Sequence, residues 1–475
     1  MELYSKNDDY KLYQGNMLDM LEVVEPNSID SIITDPPYEL NFMNKGWDNS
    51  GIAFQKETWQ KCYEVLKDGG YLLAFGGSRT FHRIACAIED AGFEIRDIIM
   101  WLYGSGFPKS MDISKQIDKH LGIEREIIGK KEKRGGMKAT FGGSEYKESA
   151  LNITEPATDL AKQWQGWGTA LKPSFEPIIV ARKPFKGSLV DNVIEYGVGG
   201  INIDECRVGM QENDKEQYYK KQKSFENTNK KIGNIYGGNS LQKSSTTFYD
   251  TDTLVENTLN NGRFPANTIL TYDESDFDEV CGGFPNTKAI KTKGTDNRQN
   301  IGNSMFLDGV RNENNSYNDS GSASRYFYCA KASKKDRDEG LDEFEDKEYI
   351  LGCNGATLDN IREKGHYGNG GNGLSQIKIR KNTHPTVKPT DLMQYLVRLV
   401  TPNGGTILDP FNGSGSTGKA VMYENKERNK QYKYIGIELT EEYLPISKAR
   451  IEYVCNLTQE ELKEKQMTIF DLEVK

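Results

Sequence analysis

Asp35-Pro36-Pro37-Tyr38 combines an acid, two stiff prolines and a flat aromatic face at the end of an apolar run, Ile29 to Thr34. The prolines fix φ and remove two backbone donors, so the turn is rigid and its carbonyls are free to accept. With the carboxylate as a further acceptor and the tyrosine as a platform, the four residues suit a planar group that carries an NH2. A plain Pro-Pro turn after a core strand is the simpler use of the same residues.

A second chemical cluster lies near the other end of the chain. A short strand from Thr406 to Leu408 runs into Asp409-Pro410-Phe411-Asn412-Gly413-Ser414-Gly415-Ser416-Thr417-Gly418. Glycines after a strand let backbone approach a ligand closely, and a helix N-terminus begins there. Glu438 ends the next strand, where an acid can accept from ribose hydroxyls. The pair suits a nucleoside-bearing cofactor. Gly413 to Ala420 also nearly matches a phosphate-binding loop, GxxxxGK[ST]. Ala420 offers no hydroxyl to a magnesium ion, however, and Asp409-Pro410-Phe411 has no place in such a loop.

The elements that must position these clusters alternate. Strands are expected to begin at Tyr10, Ile29, Tyr71, Phe93, Ile178, Thr406 and Tyr432. Helices are expected over Ala53 to Lys67, Ser78 to Asp90, Thr390 to Val400, from the glycine-rich loop to about Glu424, and over Glu441 to Val454. Helices between buried strands imply parallel βαβ units and a doubly wound α/β sheet, whose ligands sit beyond the carboxyl ends of the strands. Asp35 and Asp409 both stand at such ends. From about Lys186 to Arg380 this rhythm is lost. That region reads as a separate, loop-rich insert, polar and rich in Asn, Lys, Ser and Gly.

The composition is that of a polar globular protein, 36% hydrophobic and 28% charged. No apolar run is long enough to span a membrane, and the start carries no basic-then-apolar signal, so a cytoplasmic enzyme is expected. The seven cysteines (62, 86, 206, 281, 329, 353 and 455) form no CxxC pair, and the four histidines form no metal-binding cluster. Reduced thiols and no metal are expected. A net charge of −9 runs against nucleic-acid binding for the chain as a whole, but local patches can override it. Ser324 to Arg337 interleaves aromatics with cations, among them Arg325, Lys331, Lys334 and Lys335, a mixture that suits a polyanion. Ile377 to Lys388 and Gly129 to Lys138 are also basic.

Three motifs in a fixed order resemble the S-adenosylmethionine-dependent amino-methylating DNA methyltransferases. They are Asp35 to Tyr38 as the DPPY motif, His384-Pro385-Thr386-Val387-Lys388-Pro389 as HPTxKP, and Asp409 to Gly415 as DPFxGSG. With the first preceding the last, the order resembles the family's beta arrangement. The resemblance covers roughly 8–185 and 380–455. It implies a seven-stranded, circularly permuted Rossmann-like sheet, built from a catalytic half (1–185) and a cofactor-binding half (381–475), with a target-recognition region (186–380) inserted between them. It implies catalysis by Asp35, Pro36, Pro37 and Tyr38 on a base flipped out of double-stranded DNA. S-adenosylmethionine would be held by Asn16, Thr386, Lys388, Asp409, Phe411, Gly413, Ser414, Gly415 and Glu438. Many relatives carry an acid where this chain has Asn16, which accepts without charge; Asp19 stands nearby. Adenine N6 is the expected target, since cytosine-N4 members more often carry Ser in place of Asp35. The alternatives are cytosine N4, an inactive DNA-binding protein and a P-loop-type nucleotide triphosphatase. The resemblance further suggests a homodimer and leaves a restriction-endonuclease partner open.

Overall fold

The computed structural model describes residues 1–40, 46–103, 110–130, 152–210, 215, 261–272, 327–331, 334–351 and 376–465. Its strands are β1 (Glu2–Lys6), β2 (Tyr10–Gln14), β3 (Ile29–Thr34), β4 (Leu66–Phe75), β5 (Glu94–Tyr103), β6 (Ile127–Lys130), β7 (Asn152–Thr154), β8 (Phe175–Arg182), β9 (Thr268–Tyr272), β10 (Tyr328–Lys331), β11 (Lys347–Leu351), β12 (Gln376–Arg380), β13 (Thr406–Asp409) and β14 (Lys433–Glu438). Ten of them form one sheet in the order β1-β2-β14-β13-β3-β4-β8-β5-β9-β10. The seven expected strands are its contiguous middle. The seven-stranded expectation is corrected at both ends: β1 adds an antiparallel edge to β2, while β9 and β10 continue the sheet in parallel beyond β5. β9 and β10 come from the middle of the chain, so that region is not a separate body where it is described.

Alternation along each strand builds a core on both faces. Ile33, Leu73, Phe75 and Val180 point to the side covered by the helices Thr390–Val400, Ser416–Arg428 and Leu444–Asn456. Their neighbours Ile32, Leu72, Ala74 and Ile179 point to the other, covered by the helices Lys56–Val65 and Phe81–Asp90. This two-sided burial leaves every residue of β3 buried, its polar Asp30, Ser31 and Thr34 included. The parallel expectation holds for most pairs but fails at β8, which runs antiparallel to both β4 and β5. The helix expected over Ala53 to Lys67 stops at Val65. Leu66 turns to extended backbone and opens β4 five residues before the expected Tyr71. Among the described residues no helix is long and apolar enough to cross a membrane.

The two ends of the chain are joined at the sheet's centre. β13 pairs in parallel with β3 through Ile407↔Ser31 and Leu408↔Ile32, and β14 pairs in parallel with β2. Behind this junction, Arg398 on the Thr390–Val400 helix meets the fully buried Glu424 at 2.5 Å, and Gln394 adds a donor at 3.2 Å. Removing one member of such a pair strands the other charge in the core. Arg398→Ala is therefore expected to lower unfolding free energy by about 3–5 kcal/mol, read as a lower urea midpoint.

Candidate active site

β3 and β13 are adjacent and parallel, so the loops that leave them emerge side by side. A cleft of about 1380 Å³ opens over these strand ends. Its walls include Asn16, Asp35 to Tyr38, Thr386, Lys388, Asp409, Phe411, Gly413, Ser414 and Glu438. The sheet thus brings together residues from both ends of the chain.

One side of the cleft carries a compact ionic cluster. Lys388 Nζ donates to Asp35 Oδ2 at 2.6 Å and lies 3.5 Å from Glu176 Oε2. The Tyr38 hydroxyl donates to Glu176 Oε2 at 2.8 Å, and the Tyr103 hydroxyl donates to Glu176 Oε1 at 3.4 Å. Lys388 is buried beneath rings: its ammonium lies 4.9 Å from the Phe75 centroid and 5.4 Å from that of Tyr38. Burial pulls its pKa down, but the two carboxylates outweigh this and hold it above the ordinary lysine value. Burial, reinforced by the same carboxylates, keeps the Tyr38 phenol protonated. Asp35 Oδ1 is buried and has no hydrogen-bond partner. A buried acceptor without a donor is costly, so this atom is poised for a donor from a ligand. The loop after Tyr38 is held by Asp48, whose carboxylate accepts from the Glu39 and Leu40 amides at 2.9 and 3.2 Å.

The other side is the glycine-rich loop. Asp409 faces inward rather than into open solvent. It accepts from Thr34 Oγ1 at 2.7 Å, Thr417 Oγ1 at 2.6 Å and the Phe411 amide at 3.1 Å. One carboxylate thereby ties the end of β3 to the start of the helix Ser416–Arg428. Glu438 accepts from the Gly413 amide at 2.7 Å and the Thr440 amide at 2.8 Å, which fixes the loop to the end of β14. Gly413 has φ +52°, and a Cβ there would meet His384 Nε2 at 2.9 Å, so glycine is required. Burial pushes the His384 imidazole down to about 3, and it is neutral at ordinary pH.

The profile of a DNA methylase family matches residues 29–449. The chain belongs to this family of DNA methylases. The type II methyltransferase M.HindIII of Haemophilus influenzae is 24% identical over 235 residues, 40% of this chain and 64% of that one. The type II methyltransferase M.HpaI of Haemophilus parainfluenzae is 34% identical over 116 residues, 23% of this chain and 37% of that one. The chain thus spans less than two-thirds of the length of either relative. Among solved structures, the cytosine-N4-specific PvuII DNA methyltransferase aligns at TM-score 0.38 and 13% identity, over 97% of this chain and 92% of that one.

Within this family member, two of the residues expected at the cofactor make contacts inside the protein. Lys388 pairs with Asp35 and Glu176 rather than with the glycine loop. Gly415, at φ +74°, packs against the Leu444–Asn456 helix, where a Cβ would come within 2.5 Å of Ser447 Oγ. It shapes the loop and does not line the cleft. Asn16 reaches the cleft while its side chain caps a short helix, accepting from the Leu18 amide at 3.0 Å. Arg325 lies outside the described residues, as do the side chains of Lys331, Lys334 and Lys335 and nearly all of the basic loop after Gly129.

Sequence reasoning passed over Glu176, an acid in front of a proline with no motif around it. It also passed over a buried clamp behind the glycine loop. Lys419, the lysine of the rival phosphate loop, is fully buried and meets Asp336 at 2.5 Å and Glu339 at 2.7 Å. It is therefore not offered to a phosphate. Asp336 also accepts from the Thr390 amide at 2.7 Å and from the Thr390 hydroxyl. Arg450 donates to the Asp336 carbonyl at 3.2 Å and to the Ser414 carbonyl at 2.8 Å. The end of the Ser324 to Arg337 stretch, expected to suit a polyanion, thus contributes Asp336 to fixing the glycine-rich loop.

Burial raises the Asp409 carboxyl to about 6, despite its three donors. The unfolded value is about 4, so the folded state binds this proton more tightly. Its contribution to stability is present at low pH and is lost as pH rises from about 4 through about 6. Asp409→Asn is expected to remove that slope, seen by comparing urea midpoints of the two proteins at the two ends of this range.

Proposed function

We propose that this chain is an S-adenosylmethionine-dependent DNA methyltransferase that modifies the exocyclic N6 amine of a flipped-out adenine. The observation that carries the reading is Asp35 Oδ1, a buried acceptor with no donor beside a rigid Pro-Pro turn and a protonated tyrosine. It is the acceptor that an extruded base amine needs.

An exocyclic amine is a poor nucleophile while its lone pair is delocalised into the ring. Asp35 Oδ1 and the Pro36 carbonyl would each accept one amine hydrogen, which favours a pyramidal nitrogen with a localised lone pair. The Tyr38 ring would stack on the base, held by its bond to Glu176. Lys388 on Oδ2 orients Asp35, leaving Oδ1 to the substrate. Asp35, Glu176 and Lys388 together carry a net single negative charge, which matches the positive charge that develops on the nitrogen. As the new bond forms, Asp35 Oδ1 can take the proton that the amine sheds. Getting the base out of the duplex costs a few kcal/mol, part of which stacking on Tyr38 returns.

The cleft fits the cofactor on its own features. Gly413 and Ser414 line the cleft with the glycine-rich loop, Phe411 provides an apolar wall, and Glu438 provides an acid at the strand end. These residues, with Asn16, would hold S-adenosylmethionine. When bound, it supplies an electrophilic methyl group.

The intact Asp35 and Tyr38 favour an enzyme over an inactive binding protein. With tritiated cofactor and unmethylated genomic DNA, nucleoside mass analysis is expected to find label in N6-methyladenosine. Label in N4-methylcytosine would keep the mechanism and change the base. Asp35→Ala is expected to lose at least about 10²-fold in kcat while binding cofactor nearly as well as the parent. Undiminished transfer by that variant would sink the mechanism.

A further inference from the structure

The cleft wall from Thr169 to Glu176 ends in an unusual tip. Leu171 is 93% exposed, and Trp167 before it is 59% exposed. Single exposed apolar side chains are common on protein surfaces and carry no message by themselves. This one differs in how it is held and where it stands.

Both flanks of the tip are fastened. On one side the Thr169 and Ala170 amides donate to Ser110 Oγ at 2.9 and 3.3 Å, and the Met111 amide donates to Thr169 Oγ1 at 3.0 Å. Gly168 bridges to Asp112, and the Ile113 amide donates to the Trp167 carbonyl at 3.1 Å. On the other side the Tyr103 amide donates to the Ser174 carbonyl at 2.9 Å, next to the Phe175–Glu176 start of β8. Between these anchors stand Leu171, Lys172 and Pro173, and the proline stiffens the exit. A braced loop therefore presents a leucine to water at the rim of the pocket, followed at once by a cation.

We infer that Leu171 enters the DNA stack in the gap left by the departing target base, while Lys172 meets a neighbouring phosphate. The inference rests on the function proposed above. A base that moves into the cleft leaves its neighbours unstacked and a hole in the duplex. An apolar side chain inserted there recovers buried area and hinders the base's return. The lysine adds a sequence-independent contact with the backbone. Because Glu176 lies on the same stretch, five residues beyond Leu171, the wedge and the floor of the base pocket are mechanically one piece.

The test uses two duplexes that contain the site mapped from methylated genomic DNA, one fully paired and one mismatched at the target base. A mismatched base leaves the stack at lower cost, so it needs less help. Leu171 is exposed, and alanine there leaves the fold intact. Leu171→Ala is expected to lose about tenfold or more in kcat/KM on the paired duplex, about 1.4 kcal/mol in barrier, and to approach the parent on the mismatched one. Leu171→Phe is expected to retain activity on both. Full activity of Leu171→Ala on the paired duplex, or an equal loss on both, overturns the wedge and leaves the methyltransferase reading standing. A parent protein that labels neither duplex overturns that reading, and the wedge with it.

Discussion

Parallel pairing of β13 with β3 is the constraint on which everything else rests. It needs only two matched positions, Ile407↔Ser31 and Leu408↔Ile32, yet it unites segments from opposite ends of the chain. The Thr34–Asp409 hydrogen bond, 2.7 Å across 375 positions of sequence, locks the two strand ends in register. A slip of one residue would exchange the side chains that β3 presents to the two helical layers and separate the two loops. Closing so long a connection is affordable because loop entropy grows only with the logarithm of length. The intervening chain can therefore carry much sequence at little thermodynamic expense.

Charge is used in two different ways around the cleft. At Lys388 it is kept near the surface of the pocket, shared between two carboxylates and padded by aromatic rings. That arrangement leaves one oxygen of Asp35 with nothing to do inside the protein. Behind the glycine loop, Lys419, Arg450, Asp336 and Glu339 neutralise one another in the interior. Lys419 and Arg450 hold the Asp336 carboxyl below its usual range despite its burial. Such a cluster costs desolvation and is weak grounds for stability. What it adds is geometry: Arg450 spans from Asp336 to Ser414, so a short segment from the middle of the chain braces the loop from behind.

The central architecture was legible because buried parallel strands, glycine loops and an acid-proline turn each leave a local mark. The seven strand positions followed from those marks, and the union of the two ends was what the family resemblance implied. Strand direction did not, because the apolar run Ile178 to Ala181 reads alike whichever way it points, and β8 proved antiparallel. β9 and β10 are short and set in polar sequence, so their place beside β5 depends on packing such as the Trp101 indole donating to Thr271 at 2.7 Å. Lys388 and Glu176 were visible as residues but not as partners. Ion pairs across hundreds of positions have no periodicity to betray them.

The strand order also sets a schedule for synthesis. β2 and β3 are close in sequence, but β14 and β13 stand between them in the sheet. As the chain leaves the ribosome, β3 and β4 can pair, with β8 and β5 extending them, yet one edge of β3 stays open until β13 appears. That edge leaves Ile29, Ile32 and Ile33 uncovered, which is a hazard for wrong pairing. β13 and β14 are the keystone, and until they arrive the early half is an exposed template.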